Sequence, residues 1–312
     1  MSMGGRNSIC PMFPLRYWIV AVFLMSAAYA NLRGRVRFGW RRALTDFTVL
    51  LAPLNAAIYL SSRVQPRPYL DARSLPELDV LRDNWQVIRN EALRMQGEGR
   101  IRAADGYTDI GFNSFFRTGW KRFYLKWYGD DLPSAQAECP RTVELLSRIP
   151  SVKAAMFASL PPGGRLVRHR DPYAGSLRYH LGLATPNSPG CYIEVDGERY
   201  HWRDGEDVVF DETFIHHAEN TTDAQRVILF CDVERPLRWQ PMVWINRWFA
   251  RVVMRMSATE NVPGEPVGAL NKFFAHAYKL RLWGKALKAR SRIGYYTLKW
   301  ALMAGVLLAI LI

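Results

Sequence analysis

The tripeptide His169-Arg170-Asp171 sets an imidazole and a carboxylate two residues apart. In an extended chain, residues i and i+2 point to the same side, so the pair faces a common point. One distant imidazole would complete a two-histidine, one-carboxylate face. Such a face holds non-haem iron and leaves open positions for substrate and O2. His216, 45 residues after Asp171, is the candidate, with the adjacent His217 as the alternative. A His-x-Asp tripeptide also arises by chance, and a loop histidine is the bland reading of His169. His216 stands ten residues before Arg226, and the combination is more specific than either part.

Arg226 opens the run Arg226-Val227-Ile228-Leu229-Phe230-Cys231. An arginine heading an apolar strand is either an edge charge or a bidentate clamp for a carboxylate inside a barrel. In Leu-Arg-Tyr-His-Leu-Gly-Leu, Arg178, His180 and Gly182 share one face, and Leu177, Tyr179, Leu181 and Leu183 form a core stripe on the other. Facing inward, Arg178 and His180 would cost several kcal/mol unless paired. An anionic ligand would pair them; an outward polar face is the alternative.

After Pro150 the pattern is one of short strands punctuated by Gly and Pro. The spacing predicts strands over Val152–Leu160, Leu177–Leu183, Cys191–Val195, Arg199–Trp202, Asp207–Asp211 and Gln225–Val233, with a hairpin at Asp196-Gly197. Short strands at even spacing point to a sandwich or jelly roll. Ahead of them, Ser74-Leu75-Pro76-Glu77 fits a capping box, and Leu78, Leu81, Trp85, Ile88 and Leu93 recur at helical spacing, predicting a helix to about Met95. A second helix is expected over Ala135–Ile149.

The ends of the 312-residue chain are different in kind. Three apolar stretches, Tyr17–Ala30, Phe47–Leu60 and Trp300–Ile312, each run 13 or 14 residues. At 1.5 Å per residue they reach about 20 Å, short of the roughly 20 residues that a hydrocarbon core asks for. The first extends to Leu32, and the third back to Tyr295 if Lys299 snorkels. Arg6, Arg16 and Ala28-Tyr29-Ala30 fit a signal peptide. Against that, Arg33, Arg35, Arg37, Arg41 and Arg42 follow at once, which favours an uncleaved anchor with its basic flank in the cytoplasm. The second stretch contains Pro53 and Asn55 and reads as interfacial or re-entrant. From Asn271 onward, Lys272, Lys279, Arg281, Lys285, Lys288, Arg290, Arg292 and Lys299 interleave with aromatic and aliphatic residues, and no acid follows Glu265. This is a basic amphipathic segment suited to anionic headgroups, or else a solvated face of a soluble domain. The net charge of +14 also suits nucleic acid, but nucleic acid does not explain three greasy segments. Composition excludes wholesale disorder: 49% of residues are hydrophobic and 22% charged. Cys10, Cys139, Cys191 and Cys231 form no Cys-x-x-Cys pair, which argues against a zinc site or disulfide framework.

His169-Arg170-Asp171, LRYHLGL and VFDETFIHHAENTTDAQRVILFCDVERP together resemble the aspartyl/asparaginyl β-hydroxylase family of Fe(II)/2-oxoglutarate dioxygenases. Within it they are most similar to the bacterial membrane-bound branch that hydroxylates lipid A. The likeness covers about Arg63 to Pro236, and APLNAAIYL, PYLD and PELDVLRDNWQVIR share it. The resemblance implies a mainly β fold with helical flanks: a double-stranded β-helix (jelly roll) catalytic core with N- and C-terminal membrane-associated helices. It implies Fe(II) at His169, Asp171 and His216, with 2-oxoglutarate and O2 as co-substrates. It implies that Arg226 holds 2-oxoglutarate, with Arg178 and His180 near its other end. Peptide-hydroxylating members have a small residue where Asp171 stands, so an ordinary facial triad is implied here. They also use an upstream serine, at whose place the register offers Ala158 or Ser159.

The expected organisation is a membrane anchor and interfacial segment over 1–62, a catalytic domain over 63–240, and a basic membrane-associated region with a terminal anchor over 241–312. The expected activity is hydroxylation at C2 of a lipid A acyl chain, at the cytoplasmic face of the inner membrane. The partners are then an anionic membrane lipid and the membrane itself, with no nucleic acid, and the oligomeric state is open. The alternatives are hydroxylation of another acyl lipid such as an ornithine lipid, then of peptidyl Asp or Asn, and last a non-enzymatic membrane scaffold.

Overall fold

The computed structural model describes residues 14–104 and 109–311. Arg6, Cys10 and Ile312 lie outside the described residues, and so does the side chain of Lys279. Ten α-helices are present among them: α1 Leu15–Leu32, α2 Trp40–Thr45, α3 Ala52–Ser61, α4 Asp79–Asp83, α5 Trp85–Gly97, α6 Pro133–Glu138, α7 Pro140–Ser147, α8 Gln240–Phe249, α9 Ala269–Arg290 and α10 Arg292–Leu311. The strands are β1 Tyr69–Leu70, β2 Lys121–Trp127, β3 Asp130–Asp131, β4 Val152–Leu160, β5 Arg165–His169, β6 Ser176–Ala184, β7 Cys191–Val195, β8 Glu198–His201, β9 Asp207–Phe210, β10 His216–Asn220 and β11 Arg226–Glu234.

The strands form two antiparallel sheets, ordered β1-β9-β6-β11-β4-β2-β3 and β5-β10-β7-β8. From β4 onward the chain passes back and forth between them, a jelly-roll-like winding. Leu181 and Leu229 of the larger sheet and Ile193, Val195 and Ala218 of the smaller share one hydrophobic core. The central strands β4, β6 and β11 are buried on both faces because helices cover the outside of the large sheet; α5 packs on β6. The Asp196-Gly197 hairpin forms between β7 and β8, with φ of 51° and 87°, as a type I′ turn requires.

The helices ahead of the barrel depart from the sequence expectation. Ser74 caps nothing: its Oγ donates to Asp71 O at 2.6 Å, and Pro76–Leu78 is a 3-10 turn. The single helix to Met95 is interrupted at Asn84, whose Nδ2 donates to Val80 O at 2.8 Å, a side-chain bond that competes with the helical ladder. The helix expected over Ala135–Ile149 breaks at Cys139, since Pro140 disfavours helical geometry in the residue before it. Five strands escaped the sequence reading: β2, β5 and β10, and the two-residue β1 and β3.

The Phe47–Leu60 stretch begins as a 3-10 turn over Phe47–Leu51 and continues as α3. Pro53 sits in the first turn of α3, where its missing N–H costs nothing. Buried Asn55 and Ile58 turn to the barrel, while Phe47, Leu50 and Leu60 are exposed. Among the described residues, α1 is the one helix long and apolar enough to cross a membrane by length and composition. The arginines that follow it are engaged. Arg33 ion-pairs with Asp211, donates to Thr213 Oγ1 at 2.9 Å, and lies 4.0 Å from the ring centroids of both Tyr59 and Phe214. Asp211 also takes Arg235 at 3.0 Å. Asp196 receives the backbone N–H groups of Arg35 and Val36 at 3.0 and 2.8 Å.

Candidate metal centre

β5 and β10 are antiparallel neighbours, and their register sets His169 directly opposite His216. The ring centroids are 4.2 Å apart. Asp171 lies two residues past the end of β5, and its backbone N–H donates to Glu212 O at 2.9 Å, which turns its carboxylate back to the histidines. The ligating atoms of His169, Asp171 and His216 all fall within 4.8 Å of one another. The structure therefore brings together the three residues singled out in the sequence. The pairing shifts register between His216 and Ala218, and His217 faces away, with Nδ1 3.8 Å from Glu194. That resolves the choice between the adjacent histidines.

The local bonds fix the tautomers. His169 Nδ1 donates to Val167 O at 2.7 Å, and His216 Nδ1 to Phe214 O at 2.9 Å. Each ring keeps the Nε2 lone pair available for a cation. Burial, then the neighbouring His169, pushes His216 down to about 3, and burial also lowers His169. Burial alone would raise Asp171, but the Arg178 guanidinium and the two imidazoles hold it below the usual carboxylate range. Two neutral imidazoles and one carboxylate can hold a divalent metal such as iron. Arg170, between the ligands, points the other way. Its Nε donates to Thr48 Oγ1 at 2.9 Å and Nη1 to Ala30 O at 3.3 Å, tying this segment to the end of α1.

The other three sequence candidates separate into two kinds. Arg178 is already engaged: Nη2 donates to Asp171 Oδ2 at 2.7 Å and Nε to Asp232 Oδ1 at 2.8 Å. It is a partner of protein carboxylates rather than a cation waiting for an anion. Arg226 is different. It is 1% exposed, Nε has no hydrogen-bond partner, and the guanidinium lies 4.3 Å from the Trp202 ring centroid. No acid among the described residues pairs with it, and burial pushes it down to about 10. His180 packs between Phe210 and Phe230, with neither ring nitrogen partnered. Burial, then Arg178, Arg226 and His216, lowers it and keeps it neutral. Trp202 Nε1 is also buried without a partner; Ser159 Oγ is too, but Ser159 pairs with Val227 and so lies on the opposite face of the sheet from Arg226, outside this set. Unmatched polar atoms in a protein interior are costly. A small dicarboxylate such as 2-oxoglutarate would match this set: a guanidinium for one carboxylate, with neutral donors along its length.

Sequence reasoning missed Asp232 and Glu212, which surround Arg178 together with Asp171. Burial pushes Glu212 up to about 8, and its Oε1 accepts from Ser176 Oγ at 2.8 Å. A signal for Asp232 was available: in β11 it alternates onto the same face as Arg226, an acid within an apolar strand.

Residues 82–236 match the family described as Aspartyl/Asparaginyl beta-hydroxylase. An ornithine lipid ester-linked acyl 2-hydroxylase of Rhizobium tropici is 39% identical over 130 residues, covering 41% of this chain and 46% of that protein. Human aspartate beta-hydroxylase domain-containing protein 2 is 34% identical over 126 residues, covering 38% of this chain and 34% of that protein. The chain thus spans less than half the length of these curated relatives. A Pseudomonas putida prolyl-4-hydroxylase structure aligns at 20% identity over 50% of this chain and 88% of that one, with a TM-score of 0.33, a likeness too loose to support an argument.

Proposed function

Residues 82–236 belong to the aspartyl/asparaginyl β-hydroxylase family, and from that premise we propose that this chain is an Fe(II)/2-oxoglutarate-dependent hydroxylase of a membrane lipid. The observation that carries the reading is the convergence of His169, Asp171 and His216, with His180 near both His216 and a buried arginine, Arg226, that no acid pairs among the described residues. In this reading the jelly roll is a double-stranded β-helix. His169, Asp171 and His216 hold the iron, Arg226 receives the distal carboxylate of 2-oxoglutarate, and His180 lines the space between. When bound, iron(II) with 2-oxoglutarate and O2 supplies the oxidant for a C–H bond, with succinate and CO2 released. The protein's part is to position and to exclude water: Arg178 orients Asp171, the backbone carbonyls orient both histidines, and the aromatic walls keep the interior dry.

The substrate we infer is an acyl chain at C2 of lipid A, reached from the cytoplasmic face of the inner membrane. Its support is chemical. A phosphorylated lipid suits a +14 chain with an apolar helix at one end and basic helices at the other. The second reading, an ornithine lipid, is favoured by the name of the Rhizobium relative. Peptidyl Asp or Asn ranks third. The test is mass spectrometry of total lipids from cells with and without this chain. One added oxygen on lipid A, lost in His169→Ala, supports the first reading. The oxygen on an aminolipid moves the assignment to the second. No lipid change, together with no 2-oxoglutarate consumption by the purified protein, would sink both.

A further inference from the structure

α8 is packed on one face only. Its inner face buries Asn246 and Phe249 in a small core with Ile58 of α3 and with Tyr173, two residues beyond Asp171. Phe249 stacks on Tyr173 at 4.9 Å, the Tyr173 hydroxyl donates to Asn246 Oδ1 at 2.5 Å, and Asn246 Nδ2 donates to Gly175 O at 3.0 Å. The approach is close enough that a Cβ on Gly175 would lie 2.0 Å from Asn246 Oδ1. From the other side, Asn55 of α3 donates to Pro172 O at 2.8 Å and accepts from Ala174 N–H at 2.9 Å. The segment that follows Asp171 is thus gripped between two helices.

The outer face of α8 is aromatic and unpartnered. Trp244 and Trp248, one turn apart, are 64% and 60% exposed, and Trp239, Ile245 and Val252 extend the patch. Exposed contiguous apolar surface on this scale marks an interaction site. Between Glu234 and Glu260 there is no acid; Arg238 and Arg251 are exposed beside this helix, and Arg247 on it pairs with Glu234 at 2.8 Å. Tryptophan beside arginine is the composition of a membrane–water interface. The patch also continues an apolar row: α8 packs on α3, which exposes Leu60 and follows a 3-10 turn that exposes Leu50, and α3 packs on α1, which by length and composition can cross a bilayer.

We propose that the outer face of α8 seats in the headgroup layer of an anionic bilayer, with Trp244 and Trp248 reaching the acyl boundary and Arg238 and Arg251 in the phosphates. Asn246 and Tyr173 then carry the height of the bilayer to the Asp171 segment. This rests on the lipid-hydroxylase reading for its purpose, but not for its test.

The test uses the full chain with Cys10→Ser, in vesicles of phosphatidylglycerol and phosphatidylcholine. The three remaining cysteines are buried and resist labelling. A nitroxide is placed in turn at Trp244→Cys, Trp248→Cys and, as an aqueous control on the barrel, Glu206→Cys. The expected result is high access to dissolved O2 and several-fold lower access to a water-soluble nickel chelate at 244 and 248 than at 206. Nickel access equal to the control overturns the proposal. So does low access accompanied by spin–spin broadening, which would assign the face to a second copy of the chain. The readout requires no turnover. Lipid-buried labels with unmodified lipids would therefore count against the hydroxylase reading alone, and exposed labels with modified lipids against the α8 seat alone.

Discussion

Arg178 donates a 2.7 Å hydrogen bond to the carboxylate of Asp171, seven residues away. One oxygen of Asp171 is thereby committed, and the other faces His169 Nε2 at 3.7 Å. An arginine whose position in the sequence suits a bound anion here pairs with two protein carboxylates, Asp171 and Asp232. Replacing such an outer partner typically lowers metal affinity about 10- to 100-fold. Arg178→Lys keeps the charge but loses the fork that spans Asp171 and Asp232. It is expected to lower iron affinity by roughly that factor in chelator competition while the far-ultraviolet spectrum is unchanged. Wild-type iron affinity in the variant would remove Arg178 from the positioning role.

Arg226 carries the opposite expectation. Its charge is buried with no acid paired to it among the described residues, so the ligand-free protein bears a desolvation cost that a bound carboxylate would relieve. Arg226→Met is expected to raise the KM for 2-oxoglutarate roughly 10- to 100-fold, the value of a charge-assisted contact. Iron affinity should stay near wild type, and the ligand-free melting temperature should hold or rise. A normal co-substrate KM would place the carboxylate clamp elsewhere. A steep fall in melting temperature would show that the guanidinium already has a partner in the fold.

Asp211 joins the segment after α1 to the barrel through Arg33 and Arg235. Burial would raise its carboxyl, but the two guanidinium groups hold it down to about 2. A carboxylate whose folded value lies below its unfolded value near 3.9 contributes stability that is present above about pH 4. That contribution fades as pH falls through about 2. Asp211→Asn leaves two buried guanidinium groups facing each other and is expected to cost roughly 3–5 kcal/mol at neutral pH. Denaturant melts of both proteins from pH 7 downward should show the gap closing as acid is added. A gap independent of pH would contradict the pairing.

Asn55 makes two hydrogen bonds to the segment that carries Asp171. Asn55→Ala removes both and leaves a buried carbonyl and N–H unpaired, at about 1–3 kcal/mol for each group. The metal should also dissociate faster, since the Asp171 segment loses one of its two clamps. Stopped-flow iron release into a chelator reads this directly. A lowered melting temperature with unchanged release would make Asn55 a fold residue only.

Local alternation was enough to place β4 and β7 at their observed ends and to set β6 and β11 to within about one residue, because apolar residues at a period of two have one low-energy solution. The Asp196-Gly197 turn was legible for a similar reason, since few residues tolerate the positive φ it needs. β5 and β10, the strands that carry the histidines, were not legible. Their sequences RLVRH and HHAEN hold too few apolar residues to show a pattern. The helix breaks at Asn84 and Cys139 were missed because side-chain bonding and a following proline override hydrophobic periodicity.

By itself, then, the sequence determined the chemical inventory: a His-x-Asp pair, a distant histidine, and an arginine heading an apolar strand. It also determined the strands dense enough in apolar residues to declare themselves. Only the tertiary structure decided which charges meet. Arg178 with Asp232 spans 54 residues, and Arg33 with Asp211 spans 178. Strand register and helix docking select such partners, and both are set by burial of the whole core rather than by any local run. The same register sent His216 inward and His217 outward, and left Arg226 buried with no acid paired to it among the described residues.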